Sequence, residues 1–204
     1  MLLVIETATA ACSAALLGPG GAVLDERHEI VGRGHAERLV PMVAELLGIR
    51  RPASILVDCG PGSFTGIRVG LAAAHGLSIG WGVPLAGFSS LALLAAAAAA
   101  GGGEAEVAAA LQGGHGELFV QSFGGDPIAP LDDLRSLAPA AAAASVGAGL
   151  VVGSGAEALV AARGSGRWSD ALPRAVNARL LPAALRRLPA RPIYGRGPDA
   201  KPMA

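Results

Sequence analysis

The sequence predicts an α/β protein with a mixed β-sheet, and three observations support this fold class. Short apolar runs joined by turn residues open the chain, which is typical of an antiparallel meander. Helical and strand-like patterns then alternate as far as residue 100. After Gly101-Gly102-Gly103 the signals weaken, and we expect a smaller or degenerate copy of the first unit. The predicted domains are therefore residues 1–100 and 101–204.

The meander begins with Leu2-Leu3-Val4-Ile5, a continuous apolar run that predicts a strand buried on both faces. A second strand-like run covers residues 12–17, and a turn, Gly18-Pro19-Gly20-Gly21, follows it. Residues 22–29 alternate imperfectly between apolar and charged side chains and predict the third strand.

Residues 35–47 predict the first helix, because their apolar side chains form one stripe: Leu39, Met42, Val43 and Leu46. Pro41 lies inside the stripe and either marks the first turn or kinks the helix, and Gly48 marks its end. The next predicted elements are a strand at 53–58, a helix at 64–80, a strand at 84–87, and an Ala-rich helix to residue 100 capped by Ser89 or Ser90.

The second half of the chain gives fewer signals. Two strands are predicted at residues 106–111 and 117–123, around a Gly-rich turn. Residues 124–192 are rich in Ala, Gly and Pro, and they indicate only a buried strand at 151–153 and a helix at 180–188.

Composition limits the function classes. Of 204 residues, 52% are hydrophobic and 16% are charged, which favours a globular chain with a large core. Because the formal net charge is zero and only 3% of residues are aromatic, neither a global basic field nor a base-stacking platform is expected. A role in nucleic-acid binding would need a local patch or a partner.

The two cysteines, Cys12 and Cys59, are too few for a disulfide framework and are expected to be buried free thiols in a reducing compartment. The opening residues MLLVIETA lack a basic region and predict a strand. The apolar tract at 83–100 contains Pro and Gly, which argues against a membrane span. We expect a cytoplasmic protein.

A Gly-rich loop, Gly60-Pro61-Gly62-Ser63-Phe64-Thr65, precedes the second helix. It lacks the Lys of a P-loop and the third Gly of a dinucleotide fingerprint. Helix N-terminal amides could still bind an anion there. The favoured interpretation is structural: Ser63 or Thr65 caps the helix and the glycines form a tight turn.

The second helix carries a stripe of small residues at every fourth position: Gly66, Gly70, Ala74 and Ser78. Small side chains permit close approach of another backbone. Glycine inside a helix costs about 0.5–1 kcal/mol relative to Ala, so two of them suggest a close contact that offsets the cost. That contact is either with the chain's own sheet or with another subunit, and the sequence leaves both open.

Ionisable residues are sparse. Glu6 and Asp58 end predicted strands and could lie close together, but similar residues commonly close strands and cap loops. His35 and Glu37 lack the second His of a zinc helix, because Leu39 occupies that place. His75 is a single histidine with no partner in sequence. The sequence therefore predicts no catalytic residue, no metal site and no cofactor.

Several segments together resemble the TsaB family of bacterial proteins. These are residues 6–16 (ETATAACSAAL), 35–42 (HAERLVPM) and 60–72 (GPGSFTGIRVGLA), with residues 192–201 (PIYGRGPDAK) resembling the family's tail. The resemblance covers residues 1–95 strongly and is faint from 100 to 190.

The resemblance implies an actin-like ATPase (ribonuclease H-like) fold of two lobes, each with a mixed sheet of five-stranded type flanked by helices, the second lobe being reduced. It also implies a dimerisation subunit without an active site, which pairs with a TsaD-like threonylcarbamoyl transferase. A TsaE-like ATPase subunit joins the complex, a homodimer is a further option, and tRNA is reached only through the complex. The product is threonylcarbamoyladenosine beside the anticodon of tRNA.

The same resemblance implies that the helices at 35–47 and 64–80 form the partner interface. The residues expected there are His35, Arg38, Leu39, Met42, Leu46, Gly66, Ile67, Arg68, Gly70, Leu71, Ala74 and His75. Gly66, Gly70 and Ala74 would form the close-contact seam, with Arg38, Arg68 and His75 at its rim.

Some features depart from the family. Glu6 replaces a commoner Asp, and residues 7–11 contain no Gly, which weakens phosphate binding by the first turn. Two other functions stay as alternatives to the dimerisation subunit: an active enzyme of this fold, either an ATP-dependent phosphotransferase or a metallopeptidase, and a magnesium-dependent nuclease that uses Glu6 and Asp58.

Overall fold

The computed structural model describes residues 1–102 and 104–195. Its first β-sheet has five strands: β1 (Leu2–Glu6), β2 (Ala11–Leu17), β3 (Val23–Ile30), β4 (Ser54–Asp58) and β5 (Leu85–Phe88). Their order across the sheet is β3-β2-β1-β4-β5. The first three strands form the predicted antiparallel meander, and β4 and β5 run parallel to β1.

Helices cover both faces of this sheet. Successive side chains of a strand point to opposite faces, so β1 contributes to two cores. Leu3 and Ile5 pack with helices α1 (His35–Leu47) and α2 (Phe64–Trp81), whereas Val4 packs with α3 (Ser90–Ala100). Burial of β1 on both faces, predicted from its unbroken apolar run, is confirmed.

The second sheet lies beyond α3. Its strands are β6 (Glu106–Gln112), β7 (Leu118–Gly124), β8 (Ala129–Pro130), β9 (Arg135–Leu137), β10 (Leu150–Val152) and β11 (Arg167–Ser169), and the main order is β11-β10-β6-β7-β8 with β9 also paired to β7. Helices α4 (Pro139–Ser145) and α5 (Ala156–Arg163) pack on one face. The other face shares a core with α3, which therefore lies between the two sheets.

This architecture confirms the predicted α/β fold class with two mixed sheets. The division at residue 100 stays a proposal. Part of the C-terminal half returns to the first sheet, because the 3-10 helix Ala175–Leu180 packs against β2 and Gly87 pairs with Leu188. In the described ranges, no helix is long and apolar enough to cross a bilayer.

Several local predictions need correction. The helix predicted at 180–188 is wrong: two short 3-10 helices, Ala175–Leu180 and Ala183–Arg186, lie on either side of Pro182. Pro182 has no N–H to continue a helical ladder. Ser89 precedes α3 without a side-chain capping bond, and the Ser90 hydroxyl bonds to Asp58 instead. Pro41 lies inside α1 beyond its first turn, so it does not mark the start of the helix. Residues 196–201 of the predicted family tail, and Gly103, fall outside the described residues.

The small-residue stripe of α2 faces the chain's own β1–β2 turn. A Cβ at Gly66 would overlap the Thr7 carbonyl oxygen, and a Cβ at Gly70 would overlap Thr7 Oγ1. Thr7 Oγ1 donates a hydrogen bond to the Gly66 carbonyl at 2.8 Å, and Ala74 is fully buried. The sequence left open whether this stripe contacts the chain itself or another subunit. The structure shows the contact within the chain.

The contrast between the two faces of α2 gives a stability prediction. A Cβ at Gly66 collides with backbone, so Gly66→Ala should lower the free energy of unfolding by about 1–3 kcal/mol. Gly76 has open space around its Cβ position, so Gly76→Ala should raise that free energy by about 0.5–1 kcal/mol. Urea unfolding of both variants measures this difference. Equal effects of the two substitutions would contradict the assigned inner and outer faces.

Candidate partner interface

The Gly-rich loop is tied to the β1–β2 turn. The Ser63 N–H donates to the Ala8 carbonyl at 2.6 Å, and a Cβ at Gly62 would overlap that same carbonyl oxygen. Ser63 Oγ accepts the Gly66 N–H at 3.2 Å, so Ser63 rather than Thr65 caps α2. The Gly60 N–H donates to Asp58 at 2.6 Å. These amides are already occupied within the chain, which argues against an anion site in the loop.

Beneath the loop, two carboxyl groups meet at the ends of the parallel strands β1 and β4. Glu6 and Asp58 are both fully buried. Glu6 Oε1 accepts the Ala8 N–H at 2.7 Å, while Oε2 has no hydrogen-bond partner in the described part of the chain. Asp58 accepts hydrogen bonds from the Gly60 N–H and from the Ser90 hydroxyl, the latter at 2.8 and 2.9 Å to its two oxygens.

The pKa values of the two buried carboxyl groups are both raised, and their surroundings decide which group holds a proton. Burial, followed by the charge of Asp58, raises the pKa of Glu6 well above its ordinary value. Burial also raises the pKa of Asp58 to about 6, against the hydrogen bonds from Gly60 and Ser90 that lower it. Because Asp58 has donors for its charge and Glu6 Oε2 has none, we place the shared proton on Glu6. The pair then buries one negative charge rather than two.

This geometry does not favour catalysis by the buried carboxyl groups or by the two thiols. A magnesium-dependent nuclease needs carboxylates that reach substrate, yet Glu6 and Asp58 have no exposed surface. Both thiols are likewise inaccessible, and burial raises the pKa of Cys12 to about 11 and that of Cys59 to about 12. The described residues contain no cluster of three His, Cys, Asp or Glu side chains able to hold a metal.

Most residues predicted for the partner interface lie inside the protein. The buried set is His35, Leu39, Met42, Leu46, Gly66, Ile67, Gly70, Leu71 and Ala74. The apolar members pack against the first sheet, and His35 Nε2 lies 3.1 Å from the Ala11 carbonyl oxygen. The single chain does not expose them, because an amphipathic helix turns its apolar stripe toward its own sheet. Their place in a partner interface therefore stays a proposal. They can only support an interface from beneath.

The other three predicted residues reach the surface. Arg38 forms paired hydrogen bonds to Glu29 and Glu45. Arg68 stacks 3.2 Å from the centre of the Phe64 ring and donates to the Tyr194 hydroxyl at 2.8 Å. His75 is exposed, with Nε2 at 2.9 Å from the Ala190 carbonyl oxygen.

The outer faces of α1 and α2 carry a set of exposed, uncharged residues that the sequence prediction missed. We call it the α1–α2 patch, and it comprises Val40, Pro41, Ala44, Ala72, Gly76, Ile79 and Gly80. Val40 is 60% exposed and Ile79 is 82% exposed. The two helices pack against each other. A signal was present in the sequence: Ala72, Gly76 and Gly80 form a second small-residue stripe on the same helix.

Two glycines of this patch have no intramolecular explanation. Added Cβ atoms at Gly76 and Gly80 would have nothing within 4 Å. Gly76, which lies in the helix interior, nonetheless weakens α2 by roughly 0.5–1 kcal/mol relative to Ala. From residue 69 to residue 81, α2 also carries no Asp, Glu, Lys or Arg. A smooth, uncharged helix face of this kind is typical of a surface that contacts another protein.

The fold and this site define an α/β protein with two mixed sheets, whose strand-end carboxyls are sealed and whose outer helices are exposed. The family model "TsaD: tRNA N6-adenosine threonylcarbamoyltransferase" matches residues 27–157. The chain belongs to this family. Within the family its resemblance is to TsaB, as the relatives and the solved structure below show.

The protein "tRNA threonylcarbamoyladenosine biosynthesis protein TsaB" of Escherichia coli is 35% identical over 123 residues, which cover 58% of this chain and 52% of that protein. The chain thus spans about half the length of the curated TsaB relatives it matches. An uncharacterised protein of Mycobacterium tuberculosis is 33% identical over 217 residues, covering 100% of this chain and 95% of its own length. The solved structure of YeaZ (TsaB) from Pseudomonas aeruginosa aligns with TM-score 0.79 and 27% identity, over 95% of this chain and 98% of that one.

The buried carboxyl pair gives a pH prediction. In the unfolded chain Glu6 loses its proton above about pH 4, whereas the folded chain keeps it to higher pH. Stability should therefore fall as pH rises from about 4 through the raised pKa values. Gln has the shape of a protonated Glu, so Glu6→Gln should be more stable than wild type by about 1–3 kcal/mol near pH 8, with no difference near pH 4.

Thermal or urea unfolding at several pH values checks this expectation. Glu37→Gln, a substitution of an exposed carboxylate on α1, is the matched control and should show no comparable gain. If Glu6→Gln were as stable as wild type at every pH, the proton would not be held on Glu6.

Proposed function

We propose that the chain is a non-catalytic dimerisation subunit for the synthesis of threonylcarbamoyladenosine on tRNA, and that it pairs with a TsaD-like transferase subunit. The family match and the names of the similar proteins support the pathway. The α1–α2 patch is the observation that carries the pairing role. It is exposed and uncharged, and it contains two glycines that no contact within the described chain requires.

Pairing through the patch places α2 of this chain close to a helix of the partner. At Ala72, Gly76 and Gly80 the side chains are minimal, so a second helix can approach below the usual separation of roughly 8–10 Å. Val40 and Ile79 offer apolar area on either helix, and Arg38 and Arg68 supply charge nearby. An apolar centre with a polar rim is the usual anatomy of a stable interface.

The lack of catalysis by this chain is part of the proposal. The residues that would act in an enzyme of this fold are buried, and the loop that would hold phosphate bonds to the β1–β2 turn. An ATP-dependent phosphotransferase or a metallopeptidase is the alternative function. Micromolar ATP or metal binding by the isolated chain would favour that alternative over the pairing role.

The remaining expectations on partners belong to this proposal as well. A TsaE-like ATPase subunit joins the complex, tRNA is modified by the assembled complex, and self-pairing through the same patch forms a homodimer in the absence of the transferase subunit. A cytoplasmic location follows from the proposed work on tRNA.

Gly76 is the position at which pairing is best tested. Gly76→Arg should leave the chain folded, because its Cβ points into open space. It should weaken pairing with the host's TsaD-like subunit at least about 100-fold, because it places a charged side chain in the α1–α2 patch. Gly76→Ala is the matched control and should still pair. Size-exclusion chromatography of the mixed subunits measures the complex.

An intact complex with Gly76→Arg would refute pairing through the α1–α2 patch. Gly70→Arg is unsuitable for this purpose, since its side chain would collide with Thr7 and disturb the fold itself.

A further inference from the structure

A local basic segment is hidden in this neutral chain. Residues 171–195 contain five arginines and no Asp or Glu, although the whole chain has 16 basic and 16 acidic residues. The five are Arg174, Arg179, Arg186, Arg187 and Arg191. Four of them are exposed and Arg186 is half-buried. The segment is therefore locally basic, which the net charge of zero does not reveal.

Two of these arginines line a cavity at the end of the first sheet opposite the Gly-rich loop. The cavity has a volume of about 280 Å³ and is lined by Leu2, Leu17, Gly18, Gly20, Gly21, Arg179 and Arg186. We call it the Arg179–Arg186 pocket. Its lining contains no carboxylate. Glycines leave space on one side of the cavity, since a Cβ added at Gly21 would lie 3.4 Å from the Cβ of Arg179.

Arg186 is held in place by the backbone. Its Nε donates to the Leu181 carbonyl at 2.7 Å, and its Nη2 donates to the Arg179 carbonyl at 2.8 Å. Burial lowers the pKa of Arg186, because removing water destabilises the charged guanidinium. The position of this cation is thus fixed before any ligand arrives, and its charge is only partly solvated.

Neither guanidinium of the pocket has a carboxylate partner among residues 1–102 and 104–195. The carboxylates on β3 are already neutralised elsewhere, since Asp25 pairs with Arg27 and Arg50, and Glu26 pairs with Arg174. Two arginines without a counter-ion, one of them partly desolvated, favour an external anion. The planar guanidinium matches the geometry of phosphate oxygens.

We propose that the Arg179–Arg186 pocket binds a phosphate group of RNA. The anion site follows from the charges and the cavity alone, whereas the choice of RNA over a free phosphate compound rests on the proposed function. Exposed Arg187, directly after Arg186 in sequence, supplies a third arginine on the same segment. Several neighbouring cations suit a chain of phosphodiesters better than a single small anion.

Binding of a commercial tRNA mixture to the isolated chain tests the proposal, by fluorescence anisotropy at several salt concentrations from about 50 mM upward. Arg179→Gln should weaken binding about 5–10-fold and reduce the slope of log K against log salt by about 0.9. Arg186→Lys keeps the charge but loses the planar guanidinium with its several N–H donors, and should also weaken binding. Arg33→Gln is the matched control, because Arg33 is exposed, has no ion pair in the described ranges, and its loss changes the net charge equally.

Equal losses of tRNA affinity for Arg179→Gln and Arg33→Gln would contradict binding by the pocket. Calorimetry with inorganic pyrophosphate forms the second arm, and pyrophosphate binding without tRNA binding would overturn the assignment to RNA. The test does not depend on pairing, because no transferase subunit is present. Gly76→Arg, which should not pair, should bind tRNA as wild type does, so a failure of the pairing proposal is distinguishable from a failure of this one.

Discussion

The contact between Thr7 and the inner face of α2 is the constraint on which the rest of the structure depends. The turn after β1 can lie against the helix only because Gly66 and Gly70 have no side chains. The Thr7 hydroxyl then bonds to the Gly66 carbonyl, and the Gly-rich loop closes over the turn through Ser63 and Ala8. The same closure seals Glu6 and Asp58 from solvent. One close approach therefore fixes the helix and covers the strand ends.

This constraint also determines which surfaces are left to function. With its inner stripe occupied by Thr7, α2 presents a second, smooth face to solvent at Ala72, Gly76 and Gly80. Sealed carboxyl groups are poor catalysts, whereas an uncharged helix face can pack against a partner. The proposed division of labour, with the reaction on a TsaD-like subunit and pairing on this chain, follows from these two facts. The Arg179–Arg186 pocket lies at the end of the first sheet opposite the carboxyl pair.

The sequence predicted the first hundred residues well, because continuous apolar runs and clear helical stripes define their elements. It predicted little beyond residue 124, where alanine gives no contrast between faces and strands such as Ala129–Pro130 have two residues. The orientation of α2 was not predictable either. Both of its faces carry small residues at every fourth position, and the contact that distinguishes them joins Thr7 to Gly66, 59 positions apart in sequence. The positive pocket was equally hidden, since Arg179 and Arg186 meet Gly18–Gly21 only through the fold.

Thiol labelling of an Ala72→Cys variant tests the central claim most directly, namely that the outer face of α2 is the partner surface. Cys12 and Cys59 are fully buried and should not react, so the new thiol reports alone. At a concentration where the chain is monomeric, we expect rapid labelling that slows sharply when the TsaD-like subunit is added. Ala162→Cys, on the exposed side of α5, should label at the same rate with and without that subunit. Unchanged labelling at position 72 within a complex that demonstrably forms would contradict the account.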